Sequence, residues 1–211
     1  MSDRPPAAAG LASRLAEAAA LLRRGGVIAY PTETFYGLGA LAGDGAAVAR
    51  LLIAKERPDG KPLPLLGAEL AQLEVVASFS PLARRLAAAL WPGPLTLVLP
   101  ARPGLHPAIT GGGATVGVRV TSGQVAAALA AAAGGALVAT SANRAGEPPP
   151  TRADLLDPLL RARLDLVVDG GETPGGAPST VVAVVGEGLT LVRLGAVTRE
   201  ALRAAAGVEV R

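Results

Sequence analysis

"STVVAVVGEGLTLVRLG", Ser179 to Gly195, holds two apolar, β-branched runs separated by the turn residues around "EG". Runs of this length with glycine between them read as a tight β-hairpin. Two strands that follow one another directly must pair antiparallel, because a parallel neighbour is reached only through a long crossover. Upstream, apolar runs of strand length alternate with helical patterns, as in crossover units. The combination predicts an α+β fold (mixed α/β): a twisted sheet with parallel and antiparallel pairs, layered with helices.

The remaining elements follow outward from the hairpin. "DLVVDGG" before it reads as another strand, and a last short helix starts at Thr198. Near the N-terminus Leu11, Leu15, Ala18 and Leu22 recur at helical spacing, and Gly25-Gly26 stops that helix after Arg23 and Arg24. "VIAY" is a short strand ended by Pro31, and Asp44 caps a helix that carries Val48, Leu51, Leu52 and Lys55. "PLPLLG" is extended, Glu69 to Ala77 a short helix, and Ser80-Pro81 opens a helix through Leu90. "TLVLPA" and "TVGVRV" are strands, "QVAAALAAAAGG" a helix with a glycine stop, and "ALVAT" one buried strand. Thr151 with Asp154 predicts a capped helix to about Arg163. The opening "MSDRPPAAAG", residues 1–10, reads as a disordered arm before a single folded unit over residues 11–211.

Composition removes whole classes of chemistry. The 211 residues include no cysteine, which excludes thiolate nucleophiles and sulfur-ligated metals. The one histidine, His106 in "LHPAITGG", reads as a loop residue and cannot form a clustered-imidazole metal site. The longest uncharged run, residues 120–143, is broken by polar residues and Gly134-Gly135, so it reads as a helix, a turn and a strand rather than a membrane span. Arg14, Glu17, Arg23 and Arg24 interrupt any signal-like core, and the expected compartment is the cytoplasm. A net charge of +3 with a pI near 9.9 permits a polyanionic partner without requiring one.

What remains for chemistry is fixed positive charge, hydroxyls and amide dipoles, a set suited to phosphoryl and nucleotidyl transfer. Of the 20 basic residues only Lys55 and Lys61 are lysines, and both fall in "AKERPDGKP". That segment is either a three-cation cradle for an anion or a solvated helix end. No Walker A string and no GxGxxG after a strand is present. "ATSAN" ends in Asn143, the sole asparagine, beside Thr140 and Ser141, where hydroxyls and an amide can bind phosphate or cap a turn. Strand alternation puts Arg119 on one face with Thr115 and Gly117, placed to grip a carboxylate or to form a buried ion pair. "AYPTETFYGLG", Ala29 to Gly39, concentrates three of the chain's five aromatic residues around Thr32, Glu33 and Thr34.

In order, "YPTETFYGLGA", "AKERPDGKPL", "WPGPLTLVL", "TVGVRV", "ATSANRAGEPPPT", "VVDGG", "PSTVV" and "LVRLGAVT" resemble the threonylcarbamoyl-AMP synthase family, also called YrdC-like, from about Leu11 to the end. The resemblance implies the YrdC-like fold in its short, single-domain form. It further implies an enzyme that makes threonylcarbamoyl-adenylate and pyrophosphate from L-threonine, bicarbonate and ATP for tRNA modification. By motif, Lys55, Arg57, Ser141 and Asn143 match the family's catalytic basic and polar tetrad. Thr34, Arg119, Ala139 through its backbone, and Thr180 match L-threonine-binding positions. Arg57, Lys61, Thr115, Ser141, Pro149 and Arg193 match ATP contacts. Some members carry asparagine where Lys61 stands, histidine where Leu66 stands and serine where Pro149 stands.

The same resemblance implies Mg2+ brought by ATP, with no dedicated protein ligands identified, and a downstream tRNA-threonylcarbamoyl transferase complex as partner. Two rival readings are a carbamoyltransferase handling carbamoyl-adenylate and a non-catalytic module contacting tRNA or other RNA through a basic surface. The rings Tyr30, Phe35 and Tyr36 are read as packing that holds the Thr34 loop rigid.

Overall fold

The computed structural model describes residues 7–56, 60–144 and 146–211. Its helices are α1 (Ala7–Arg23), α2 (Gly45–Lys55), α3 (Leu70–Glu74), α4 (Pro81–Leu90), α5 (Pro107–Thr110), α6 (Gln124–Ala133), α7 (Pro158–Arg161) and α8 (Arg199–Ala206). Its strands are β1 (Ile28–Pro31), β2 (Tyr36–Gly39), β3 (Leu65–Gly67), β4 (Leu95–Pro100), β5 (Thr115–Val120), β6 (Leu137–Val138), β7 (Thr140–Ser141), β8 (Leu166–Val167), β9 (Thr180–Val185) and β10 (Gly188–Arg193).

The caps expected at Asp44 and Ser80 form and the last helix starts at Thr198 as expected, whereas the cap expected at Thr151 does not form: the turn there starts from Arg152 with no side-chain cap. Asp44 accepts from the N–H groups of Ala46 and Ala47 at 3.0 Å to start α2. Ser80 accepts from Ala83 at 3.2 Å to start α4, and Thr198 from Ala201 at 3.2 Å to start α8. Each cap satisfies donors that a helix start otherwise leaves open.

Four boundaries differ from the sequence expectation. Helix α1 begins at Ala7, so residues 7–10 of the expected arm are helical, as an alanine run favours; residues 1–6 of that arm lie outside the described residues. Helix α3 stops at Glu74 because the chain is drawn to the sheet, with Ala77 bridging Ala101 and the Ser78 N–H donating to Pro100 O at 2.9 Å. The helix expected from Thr151 is divided into a short 3-10 turn, Ala153–Leu155, and α7. Pro158 disfavours helical backbone at Asp157 before it, and Asp157 then caps the new start by accepting from Leu160 N at 2.8 Å. His106 is also more than a loop residue: its Nδ1 accepts from Ala108 N at 3.2 Å and caps α5.

The strands form two sheets rather than one. One has the order β7-β2-β1-β8 and the other β10-β9-β4-β5-β3-β6. The β9–β10 hairpin closes antiparallel with Val185 opposite Gly188, while β4–β9 and β3–β5 are parallel, so both pair types occur as expected. The segment read as one strand, "ALVAT", divides at Ala139: β6 pairs with β3, and β7 crosses to pair with β2. Ala139 itself donates its N–H to Pro64 O at 2.8 Å.

A large apolar cluster unites α2 and α4 with β3, β4, β5 and β9. A second cluster, with Leu22, Ile28, Tyr30, Leu66, Leu129 and Leu137, lies where α1 and α6 cover the sheets. Each such fully buried leucine contributes about 1.5–3 kcal/mol of transfer free energy.

Candidate active site

A cavity of about 520 Å3 opens between the two sheets, within the range of small-molecule sites. The smaller sheet contributes Tyr36, Gly37, Thr140 and Ser141; the larger contributes Leu65, Thr96, Thr115, Gly117, Arg119 and Arg193. Connecting segments add Thr34, Phe35, Ala139, Pro149 and Ser179. Strand alternation on β5 holds: Thr115, Gly117 and Arg119 face the cavity while Val116, Val118 and Val120 are buried in the core.

Ser141 anchors one side. Lys55, 6% exposed at the C-terminus of α2, donates from Nζ to the main-chain oxygens of Ser141 and of Asn143, the latter at 3.0 Å, and lies 3.2 Å from Asn143 Oδ1. Ser141 Oγ in turn donates to Asn143 Oδ1 at 2.5 Å. Three members of the expected tetrad are thus brought together; Arg57 lies outside the described residues. Beyond Lys55 the chain turns at Glu56, whose φ of 50° is left-handed for a non-glycine residue. Glu56 is held there by Arg163 at 2.7 Å and Arg144 at 3.2 Å, and these two cations keep its carboxyl below the ordinary range.

Two arginines supply charge on the larger sheet. Arg119 NH1 lies 3.0 Å from Glu33 Oε1, with side chains only 11% and 12% exposed. Arg193 donates to Ser179 O at 2.7 Å and Ser179 Oγ at 3.2 Å, and Thr96 and Ser179 share a hydrogen bond of 3.1 Å. Partial burial, and then the positive charge of Arg119, lower the pKa of Arg193.

The other expected contacts divide. Thr34, Thr115, Ala139 and Pro149 line the cavity. Thr180 does not: it is fully buried, and its hydroxyl donates to Val197 O at 2.7 Å while accepting from Gly195 N at 2.9 Å and Val197 N at 3.0 Å. Its neighbours Pro178, Ser179 and Val181 line the cavity instead, with Ser179 and Val181 on the strand face opposite Thr180. Lys61 lines a separate recess beside His106 and Gly112, while the adjoining Pro62 lines the main cavity. Leu66 is buried in the second apolar cluster, and its neighbour Leu65 faces the cavity instead.

The Thr34 loop is tied down locally. Thr32 Oγ1 accepts from Thr34 N at 3.2 Å and Phe35 N at 3.3 Å and donates to Phe35 O at 2.8 Å. Gly175 N donates to Thr34 O at 2.8 Å. Tyr36 donates to Gly171 O at 2.7 Å and accepts from Gly170 N at 3.3 Å; burial is the main cause that pushes its phenol up to about 12. Tyr30 is fully buried, while Phe35 and Tyr36 form part of the cavity wall. "VVDGG" is therefore a brace for this loop, a role that its sequence alone does not suggest. Among the described residues no group of three or more histidine, aspartate or glutamate side chains is placed to hold a metal ion.

Two sheets enclosing a cavity lined by arginines and hydroxyl side chains define a mixed α/β protein with a pocket of small-molecule size. The Sua5/YciO/YrdC model, described as "Telomere recombination", matches residues 20–195. Threonylcarbamoyl-AMP synthase of Bacillus subtilis is 41% identical over 92% of this chain, and that of Alkalilimnicola ehrlichii is 52% identical over 74%. The match spans 57% of the B. subtilis protein and 82% of the A. ehrlichii one. The crystal structure of P. abyssi Sua5 complexed with L-threonine superposes with a TM-score of 0.88 at 39% identity, covering 94% of this chain and 59% of Sua5. The chain belongs to the Sua5/YciO/YrdC family and has the YrdC-like fold.

Proposed function

We propose that this chain is an L-threonylcarbamoyladenylate synthase. The observation that carries the proposal is the single cavity in which Arg119 and Thr34 lie with Ala139, Ser141, Thr115 and Arg193. The activity for which the relatives are named, and the L-threonine complexed with P. abyssi Sua5, support the same reading.

In the proposed reaction the threonine amine, once deprotonated, attacks bicarbonate, and water is lost as the N-carboxylate forms. A carbamate oxygen then attacks the α-phosphorus of ATP, the bond to the bridging oxygen breaks, and pyrophosphate leaves. Every participant except the amine is anionic, so cations and dipoles fixed before binding lower the barrier. Arg119 takes the substrate carboxylate, with Thr34 and the Ala139 backbone beside it. Ser141, at the cavity wall, with Lys55 and Asn143 bonded around it, is assigned to the reacting carbamate and phosphates, and Arg57 takes the same role by motif. Arg193, Thr115 and Pro149 flank the nucleotide, and Lys61, in its separate recess, is assigned to it by motif alone. ATP brings Mg2+ on its phosphates, and the described residues offer no acidic cage of their own. The product would pass to a tRNA-modifying transferase complex in the cytoplasm.

The test is incubation with ATP, L-threonine and bicarbonate while pyrophosphate and adenylate are measured. Threonine-dependent release of both is expected. Its absence, combined with salt-sensitive RNA binding, would replace the synthase with an RNA-binding module; carbamoyl-adenylate turnover in its place would favour the carbamoyltransferase reading.

A further inference from the structure

Glu33 has no part in the proposed chemistry, yet it is the most confined carboxylate near the cavity. It does not line the cavity, whereas Thr32, Thr34 and Arg119 around it do. Thr121 Oγ1 donates to its Oε2 at 2.5 Å, and Gly123 N donates to the same Thr121 hydroxyl at 3.1 Å. A Cβ at position 123 would come within 2.9 Å of Glu33 N and 3.3 Å of Glu33 Oε2, so the turn after β5 clamps both the backbone and the carboxylate of Glu33. The remaining oxygen, Oε1, is buried and receives no hydrogen bond among the described residues, although Arg119 NH1 lies 3.0 Å away. The contact is close in distance without an N–H directed along it.

That geometry has a specific consequence. A carboxylate at 3.0 Å neutralises and locates a buried guanidinium, while N–H donors not aimed at it stay available for another acceptor. Without Glu33, Arg119 would be a nearly buried cation close enough to depress the pKa of Arg193, with no anion to hold it in place. Glu33 also sits next to Thr34 in a loop pinned by Thr32, so one residue couples the arginine and the threonine that face the ligand.

We propose that Glu33, locked by Thr121, is the positioning residue that presents Arg119 to the carboxylate of the amino-acid substrate. The proposal rests on the functional reading above. It assigns Glu33 to amino-acid affinity and not to nucleotide affinity.

Equilibrium binding of L-threonine and, separately, of ATP to the wild type and to Glu33→Gln, Glu33→Asp and Thr121→Val tests it, with steady-state Michaelis constants for both substrates. Glu33→Gln keeps the size of the side chain and removes its charge; L-threonine binding should weaken by roughly tenfold or more while ATP binding stays within about twofold. Glu33→Asp, too short to span the same distance, should weaken L-threonine by an intermediate factor, and Thr121→Val by a few-fold. Unchanged or tighter L-threonine binding in Glu33→Gln would overturn the proposal, as would a parallel loss of both ligands. If Glu33→Gln does not fold, Thr121→Val decides alone by the same split between ligands. A wild type that binds no L-threonine would instead sink the functional reading itself, so the two failures are distinguishable.

Discussion

The Lys55 ammonium reaches across from the end of α2 to the turn after β7 and lies 3.0 Å from the main-chain oxygen of Asn143. A lysine only 6% exposed, ringed by the oxygens of Ser141 and Asn143, is held as a fixed charge beside the cavity. Fixed charge is what a developing phosphoryl negative charge requires, because no reorganisation is needed at the moment of reaction.

Lys55→Ala should therefore lose roughly a hundredfold or more in turnover, on the order of 3 kcal/mol. Michaelis constants and turnover for adenylate formation check it, alongside urea denaturation to account for the oxygens left without their donor. Wild-type turnover in a folded Lys55→Ala protein would remove Lys55 from the proposed mechanism. The same measurement on Arg57→Ala tests the remaining member of the tetrad.

For Arg119→Ala the expected effect is a rise in the L-threonine Michaelis constant larger than the fall in turnover, since the contact proposed for Arg119 is to the substrate carboxylate. Removing one partner also strands Glu33, at about 3–5 kcal/mol of stability. The double variant Arg119→Ala, Glu33→Gln should regain most of that stability and none of the affinity. Urea denaturation and threonine titration of the three proteins read the two effects separately. Recovery of affinity in the double variant would exclude Arg119 as the carboxylate contact.

How far the sequence reaches can be seen at particular residues. The β9–β10 hairpin, the caps at Asp44 and Ser80, the helix start at Thr198, and the cavity face of Thr115, Gly117 and Arg119 follow from local rules of turn chemistry, capping and alternation. The division of "ALVAT" between two sheets does not, because both halves are equally apolar and only pairing partners distant in sequence separate them at Ala139. Glu33 is hidden for the same reason. Its partners Arg119 and Thr121 lie more than 80 residues away, so no local pattern distinguishes it from a solvated loop glutamate. Thr180 shows the converse: the motif points to the right segment, while the residues that line the cavity are those on either side of it, Ser179 and Val181.

Gly39 tests whether the aromatic cluster is packing. A Cβ at that position would stand 2.5 Å from Tyr30 Cε1, and the Tyr30 ring is fully buried. Gly39→Ala should destabilise the protein by about 1–3 kcal/mol, the range for overpacking a closed core. Thermal denaturation that leaves Tm unchanged would mean the ring moves freely and does not brace β2.

Tyr36 gives a pH dependence. Its phenol is raised from 10.0 to about 12, mainly by burial, so between those values the unfolded chain releases a proton that the folded chain retains. Stability contributed by neutral Tyr36 is therefore present below about pH 10 and falls as pH rises toward about 12. Tyr36→Phe should show a shallower loss across this window, with the remaining slope coming from Tyr30, whose pKa burial also raises. Urea midpoints measured through the window compare the two slopes; equal slopes would place the alkaline sensitivity elsewhere.

Thr180→Val separates a buried scaffold hydroxyl from a ligand. The Thr180 hydroxyl serves Gly195 N, Val197 N and Val197 O, the segment just after the strand that carries Arg193. Valine keeps the shape and leaves those groups without their partner, which should cost about 1–3 kcal/mol of stability. If the hydroxyl acts only through this scaffold, L-threonine affinity at low temperature, where the variant stays folded, should remain close to wild type. Nucleotide affinity should fall more, because the loosened segment leads directly from Arg193. A selective loss of L-threonine binding with unchanged stability would instead return Thr180 to direct contact with the substrate.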